Sequence, residues 1–296
     1  MPLIAGNARP LDLRIWIAVP RYTDRARWTI SQEDTMKICS IVAAANIGFM
    51  FLLVLGIKAE AAELKVLSAF GMQSVMEDLG PKFERATGHK LTISFATGGA
   101  TVKRVQGGEA ADVVITLRQG IDTLVTDGKA PAGKVTVLAR SGIVVVVRKG
   151  APKPDILSPD ALKRTLLAAK SIFYVDPASG GASGIHFAKV LDRLGITNEM
   201  KSKTVFPNPQ TPGEVGVLVA NGEAEIGVHV IQELIPVAGI DLVGPLPGDL
   251  QSTIVFSAAI ITGAKDAAAA KALVDFLRTP ESAKVIKAKG MEPATP

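Results

Sequence analysis

The sequence predicts a two-lobed α/β protein, each lobe a mostly parallel sheet with flanking helices, joined by two crossing strands that act as a hinge. Three observations predict it. From Leu64 onward, short β-prone runs alternate with stretches of helical period, and such alternation builds parallel sheets covered by helices. Two strand-to-helix turns consist of small residues, Thr97-Gly98-Gly99 and Ser179-Gly-Gly-Ala-Ser-Gly184. Two long apolar strands, Gly142–Val147 and Ile254–Ile261, have the character of chain passing from one lobe to the other. The expected boundaries are 63–143 with 253–296 for lobe I and 144–252 for lobe II.

The elements follow in order. Leu64–Ser68 is a strand, and Ala69-Phe70-Gly71 turns it. Met72, Val75, Met76, Leu79 and Phe83 then recur at helical spacing. Pro81 is expected to bend or interrupt that helix, because it has no N–H and its ring crowds the preceding turn. Gly88 ends it. Leu91–Ala96 is the next strand, and Ala100–Gln106 a short helix stopped by Gly107-Gly108. Asp112 leads into Val113–Thr116, an apolar run suited to a buried strand. Arg118–Thr126 reads as a helix, and Val135–Leu138 and Gly142–Arg148 as strands. Ser158-Pro159 opens a helix through Lys170, with serine as cap and proline at the first helical position. Ile172–Val175 is a strand, followed by the second small-residue loop and a helix over Ile185–Leu194. Thr211-Pro212-Gly213 caps a helix that ends at Asn221-Gly222. Strands at Ile226–Val230 and Ile254–Ile261 precede two alanine-rich helices, Lys265–Leu277 and one from Thr279-Pro280.

The first 61 residues differ from the rest. Residues 1–35 show no period, carry both tryptophans (Trp16 and Trp28), and read as an upstream extension absent from the mature protein. Met36-Lys37, the apolar run Ile38–Ile57 and Ala59-Glu60-Ala61 have the layout of a secretory signal peptide over 36–61. The run is long, so an uncleaved anchor is the rival reading. Cys39, the single cysteine, lies inside this leader, so the exported chain holds no disulfide. Removing residues 1–61 takes away seven Lys/Arg and five Asp/Glu and lowers the net charge from +5 to +3. No basic cluster is dense enough for a nucleic-acid surface. The three histidines, His89, His186 and His229, have no metal-ligand spacing, so neither a metal nor a cofactor is expected. Beyond residue 61 there is no tryptophan and one tyrosine, Tyr174, too few rings for a sugar platform.

The functional information concentrates at the two small-residue turns. The first N–H groups of a helix lack internal partners and lie at the positive end of its dipole. Where small residues let a ligand approach them, an anion is the natural guest. A plain tight connection is the alternative. Nucleophile pairs Ser183/His186 or Ser179/His229 are conceivable, but no Gly-x-Ser-x-Gly elbow is present. A Ser–His contact with an oriented carboxylate would mark such chemistry; otherwise no enzyme is expected. Among Arg118, Arg140 and Arg148, Arg140 is the best placed to clamp a carboxylate.

Several motifs together carry a family resemblance: Val66-Leu-Ser-Ala-Phe-Gly-Met72, Ser94-Phe-Ala-Thr-Gly-Gly99, Gly108-Glu-Ala-Ala-Asp-Val-Val-Ile-Thr116, Asp176-Pro-Ala through Gly184, Gly222-Glu-Ala-Glu-Ile-Gly-Val228 and Phe276-Leu-x-x-Pro-Glu-Ser-Ala283. Over Leu64 to Met291 the chain resembles the periplasmic substrate-binding proteins of ABC importers, specifically the molybdate-binding type. The resemblance implies a type II periplasmic-binding clamshell: a monomer that captures a small anion and hands it to an ABC permease in the inner membrane. The same clamshell held by its leader would instead be a membrane-anchored sensor.

That family holds its oxyanion with two serine hydroxyls, backbone N–H groups and a tyrosine hydroxyl. The serine positions fall on Gly71 and Gly98, the tyrosine on Val230 beside His229, and the second-lobe backbone contact near Ser183. A further contact falls near Pro212, where only Gly213 has an N–H to offer. The implied ligand-binding set is Phe70, Gly71, Met72, Thr97, Gly98, Gly99, Ser183, Gly184, Gly213, His229 and Val230. Three hydroxyls are therefore missing. A pocket trimmed to glycine, with Phe70 and Met72 as an apolar wall, suits a small organic carboxylate as well as a molybdate-like oxyanion.

Overall fold

The computed structural model describes residues 61–206 and 214–294. The upstream extension, all but the last residue of the expected signal peptide, and the Thr211-Pro212-Gly213 cap lie outside the described residues.

Two sheets form the frame. The first contains β1 (Glu63–Ala69), β2 (Lys90–Ala96), β3 (Val113–Leu117), β4 (Thr136–Ser141), β10 (Ile254–Ile260) and β11 (Glu292–Pro293), in the order β11-β4-β10-β3-β1-β2. The second contains β5 (Ile143–Arg148), β6 (Ile172–Tyr174), β7 (Thr204–Val205), β8 (Ile226–Val230) and β9 (Ile240–Pro245), in the order β7-β6-β8-β5-β9. The helices are α1 (Gln73–Thr87), α2 (Gly98–Gln106), α3 (Arg118–Thr126), α4 (Pro159–Ala168), α5 (Ala182–Arg193), α6 (Thr197–Lys201), α7 (Glu214–Asn221), α8 (Ile231–Leu234), α9 (Ala267–Phe276) and α10 (Pro280–Ala288).

The sheets are mixed rather than mostly parallel. β1 pairs in parallel with β2 and β3, and β6 with β7 and β8. β10 runs antiparallel to β3 and β4, and β5 antiparallel to β8 and β9. The reason is topological: each sheet receives one strand arriving from the other lobe, and that strand opposes the local βα strands. β5 and β10 also begin after the crossing instead of spanning it. The chain passes between sheets at Gly142 and again over residues 246–253. Gln251 ties the two passages together: its Oε1 accepts from Ile143 N at 3.2 Å and its Nε2 donates to Ile143 O at 2.9 Å.

The core is aliphatic. Met72, Val75, Met76, Leu79 and Phe83 present one fully buried face toward Leu64 and Val66 of β1. Pro81 does not interrupt α1. It sits on the exposed side of a continuous helix. Gly88, at φ 79°, closes that helix with its N–H on Glu84 O. Ser158 caps α4 through Ala161 N, with Pro159 at its start. Buried Asp112 accepts from Lys65 N at 2.8 Å and from Lys265 N at 2.7 Å, pinning β1 to the chain before α9. Among the described residues, no helix is long and apolar enough to cross a membrane.

Candidate functional site

Strand ends and helix starts from both sheets converge on one cavity, as expected for ligand sites at the carboxyl ends of strands in α/β proteins. The first sheet supplies Phe70 and Gly71 after β1, Thr97 and Gly98 after β2, Leu117 at the end of β3 and Phe256 from β10. The second supplies Val175 after β6, Ala182 and Ser183 at the start of α5, Glu214 and Val215 at the start of α7, His229 and Val230 at the end of β8, and Glu233 on α8. The space between them is about 60 Å³.

The two halves touch around this space. Thr97 Oγ1 donates to Ser179 O at 2.7 Å and accepts from Ala100 N, so one hydroxyl caps α2 and bridges the halves. Gly99 N donates to Gly180 O at 3.2 Å. A Cβ on Gly99 would lie 3.0 Å from Gly180 Cα, so a side chain here would push the two segments apart by a few tenths of an ångström. Gln232 Nε2 donates to Gly71 O at 3.1 Å, and its Oε1 accepts from Ser141 Oγ.

The polar centre is a buried chain of three side chains. Ser183 Oγ lies 2.9 Å from His229 Nδ1, and His229 Nε2 lies 3.1 Å from Glu233 Oε2. Ser183 and His229 are 2% and 6% exposed. Glu214 lines the same cavity, and its Oε2 is buried with no hydrogen-bond partner among the described residues. Among the described residues the lining therefore carries two carboxyl groups and one imidazole, but no Lys or Arg. Among the described residues, no His/Cys/Asp/Glu group has the arrangement of a metal site.

Seven of the expected site residues come together here: Phe70, Gly71, Thr97, Gly98, Ser183, His229 and Val230. Met72 does not; its side chain is wholly buried in the core beneath the turn. Gly99 is engaged with Gly180. Gly184 packs under β6, where a Cβ would lie 2.0 Å from Val175 O. Gly213 lies outside the described residues. Arg140 is also not brought to the cavity: it stays on β4 in register with Val255 and Glu292. Arg118 pairs with Asp122 at 2.8 Å, and Arg148 lies beside Gly222. His229 pairs with Ser183 rather than Ser179, while His186 turns to Leu250 O at 2.7 Å.

Sequence reasoning missed Glu214, Glu233 and Phe256. The spacing of Glu233 four residues after His229 was a readable signal. Phe256 gave none, because only the sheet order brings β10 beside the turn after β1.

Residues 64–292 match the profile of the bacterial extracellular solute-binding proteins. An aconitate isomerase from a Pseudomonas species is 36% identical over 236 residues, covering 78% of this chain and 87% of the relative. The molybdate-binding protein ModA of Azotobacter vinelandii is 31% identical over 239 residues, covering 78% of this chain and 90% of its own. A solved structure of the Azotobacter vinelandii periplasmic molybdate-binding protein superposes with a TM-score of 0.63 at 22% identity, over 79% of this chain and 99% of that one. The chain belongs to the bacterial extracellular solute-binding proteins, of the molybdate-binding-protein-like type.

Proposed function

We propose that the chain captures a small organic acid with one or more carboxyl groups between its two lobes and delivers it to an ABC permease. The observation that carries this is the make-up of the cavity wall. Phe70, Leu117, Val175, Val215, Val230 and Phe256 give it an apolar face, which suits a carbon skeleton. Glu214 and Glu233 stand in the same wall. A permanently charged oxyanion beside two carboxylates meets repulsion in a low-dielectric site. A carboxylic acid brings its own proton and turns the same contact into a hydrogen bond. The hydroxyls that would serve a bare dianion are absent at Gly71, Gly98 and Val230. The helix start at Ala182, with the N–H of Gly98, supplies donors for a remaining carboxylate. In this reading the protein works as a periplasmic monomer released by cleavage after the signal peptide 36–61, with lobes at 63–143 plus 253–296 and at 144–252.

The test is a thermal-shift panel on residues 62–296 with molybdate, tungstate, sulfate, phosphate and small mono-, di- and tricarboxylic acids. A hundredfold excess of ligand over Kd stabilises the folded state by about 2.7 kcal/mol. Shifts with carboxylic acids are expected; a shift with molybdate and tungstate alone would overturn the reading.

A second reading has its own support. The buried Ser183–His229–Glu233 chain is more than capture requires, and a relative at 36% identity is named an aconitate isomerase. Here the captured acid is unsaturated, as aconitate is, and leaves as its isomer. The same panel with cis- and trans-aconitate, followed by chromatography of the recovered acid, tests it. Recovery of each isomer unchanged would dismiss this reading and leave the first intact.

A further inference from the structure

The three-residue chain has the layout of proton-transfer machinery. Ser183, His229 and Glu233 come from three elements, the start of α5, the end of β8 and the short α8, and they meet in the wall of the cavity. Burying such groups costs free energy unless each is paired. One tautomer of this chain serves proton transfer. An ionised Glu233 accepts from His229 Nε2–H, which leaves the Nδ1 lone pair to accept from the Ser183 hydroxyl. The serine oxygen then keeps its lone pairs for the cavity. It also lies in the first turn of a twelve-residue helix, where the helix dipole favours negative charge.

We propose that Ser183, relayed through His229 and positioned by Glu233, moves a proton between two carbons of a bound unsaturated carboxylic acid. The proposal rests on the isomerase reading above and assigns its residues. In the first step Ser183 Oγ takes a proton from the ligand methylene carbon while its own proton passes to His229 Nδ1. The C–H bond breaks, and its electron pair spreads over the three-carbon unit and the attached carboxyl. The imidazolium faces the Glu233 carboxylate. In the second step the proton returns by the same path to the far carbon of that unit, and the double bond re-forms in its new place. No electrons leave the ligand, so neither oxidant nor reductant is needed. Glu214, whose Oε2 has no partner among the described residues, accepts a hydrogen bond from a protonated ligand carboxyl. A neutral carboxyl stabilises the carbanion better than a carboxylate does.

The test follows cis- and trans-aconitate in D2O by proton NMR with the exported protein and its S183A, H229N and E233Q variants. Binding is read separately by thermal shift with the same acids. The wild type is expected to exchange methylene and vinyl protons for deuterium as it interconverts the isomers. S183A and H229N should slow exchange by roughly 10²–10⁴-fold while still giving a thermal shift, and E233Q should slow it less. S183C, which keeps a proton carrier, should recover part of the rate. Variants that bind and exchange like the wild type would overturn the assignment and leave the isomerase reading standing. A wild type that binds the acids with neither exchange nor isomerisation would remove both. Labelling of Ser183 by a fluorophosphonate, with ester hydrolysis and no deuterium uptake, would make the serine a nucleophile and overturn proton transfer.

Discussion

The ring of Phe256 occupies the space that any side chain at position 71 would enter: a Cβ built on Gly71 would lie 2.5 Å from Phe256 Cζ. The glycine is thus one half of a fit whose other half lies on β10. Gly71→Ser is expected to cost about 1–3 kcal/mol, as overpacking does, and to lower the melting temperature by several degrees. Phe256→Ala in the same chain should recover part of that loss. A double-mutant cycle by calorimetry measures the coupling; additive losses would mean the ring and the glycine do not constrain each other.

Thr97 serves both halves of the molecule. Thr97→Val leaves Ala100 N without its cap and Ser179 O without its donor. The expected loss is about 1–2 kcal/mol of stability, with weaker ligand binding as well, because Ser179 belongs to the opposite half. Thr97→Ser should keep most of both. Melting curves and ligand titrations of the two variants check this.

Asp112 has no part in the cavity, yet it should be among the costlier surface-distant positions. Asp112→Ala removes the acceptor of two part-buried backbone N–H groups, those of Lys65 and Lys265, at about 1–3 kcal/mol each for lost charge-assisted bonds. Urea unfolding should show a lower midpoint with an unchanged slope.

Tyr174 offers a direct optical check. Burial pushes its phenol above the usual value near 10, with the Thr204 hydroxyl pulling weakly the other way and the Asp176 charge adding to the rise. A raised folded value means the neutral ring's contribution is fully present below the unfolded pKa and is lost as pH climbs through the folded one. Residues 62–296 contain no other tyrosine and no tryptophan, so absorbance at 295 nm reports this group alone. Phenolate should appear at higher pH in the native protein than in urea, and coincident curves would contradict the burial.

Much of this architecture is legible in the residues because local rules decide it. The Met72–Phe83 stripe, the Ser158-Pro159 start and the two glycine turns each announce an element without help from the rest of the chain. The mixed sheets are not legible, since strand direction follows from which lobe β5 and β10 arrive from. The weak strands β7, β9 and β11 are hidden for a different reason. β7 and β11 are two residues long, and β9 ends in Gly244-Pro245 with half-exposed side chains. At the site, backbone-led positions such as Thr97 and Gly98 could be read from turn chemistry. Met72 is not legible as a core residue because the side chain after a tight turn can face either way, and here it faces the core. Glu214 and Phe256 become site residues only through packing between elements distant in sequence.

The contact of Gly99 with Gly180 has a consequence for discrimination. In a protein whose halves part and meet, that bond and the Thr97–Ser179 bond form or break with the motion, whatever lies between the halves. Each shifts the open–shut balance by the same factor for every guest, and apparent affinity scales with the fraction of molecules in the competent form. Such bonds make the protein grip harder without making it choosier. Choice is left to the few side chains that touch the guest, so grip and selectivity reside in separate atoms and can be altered independently.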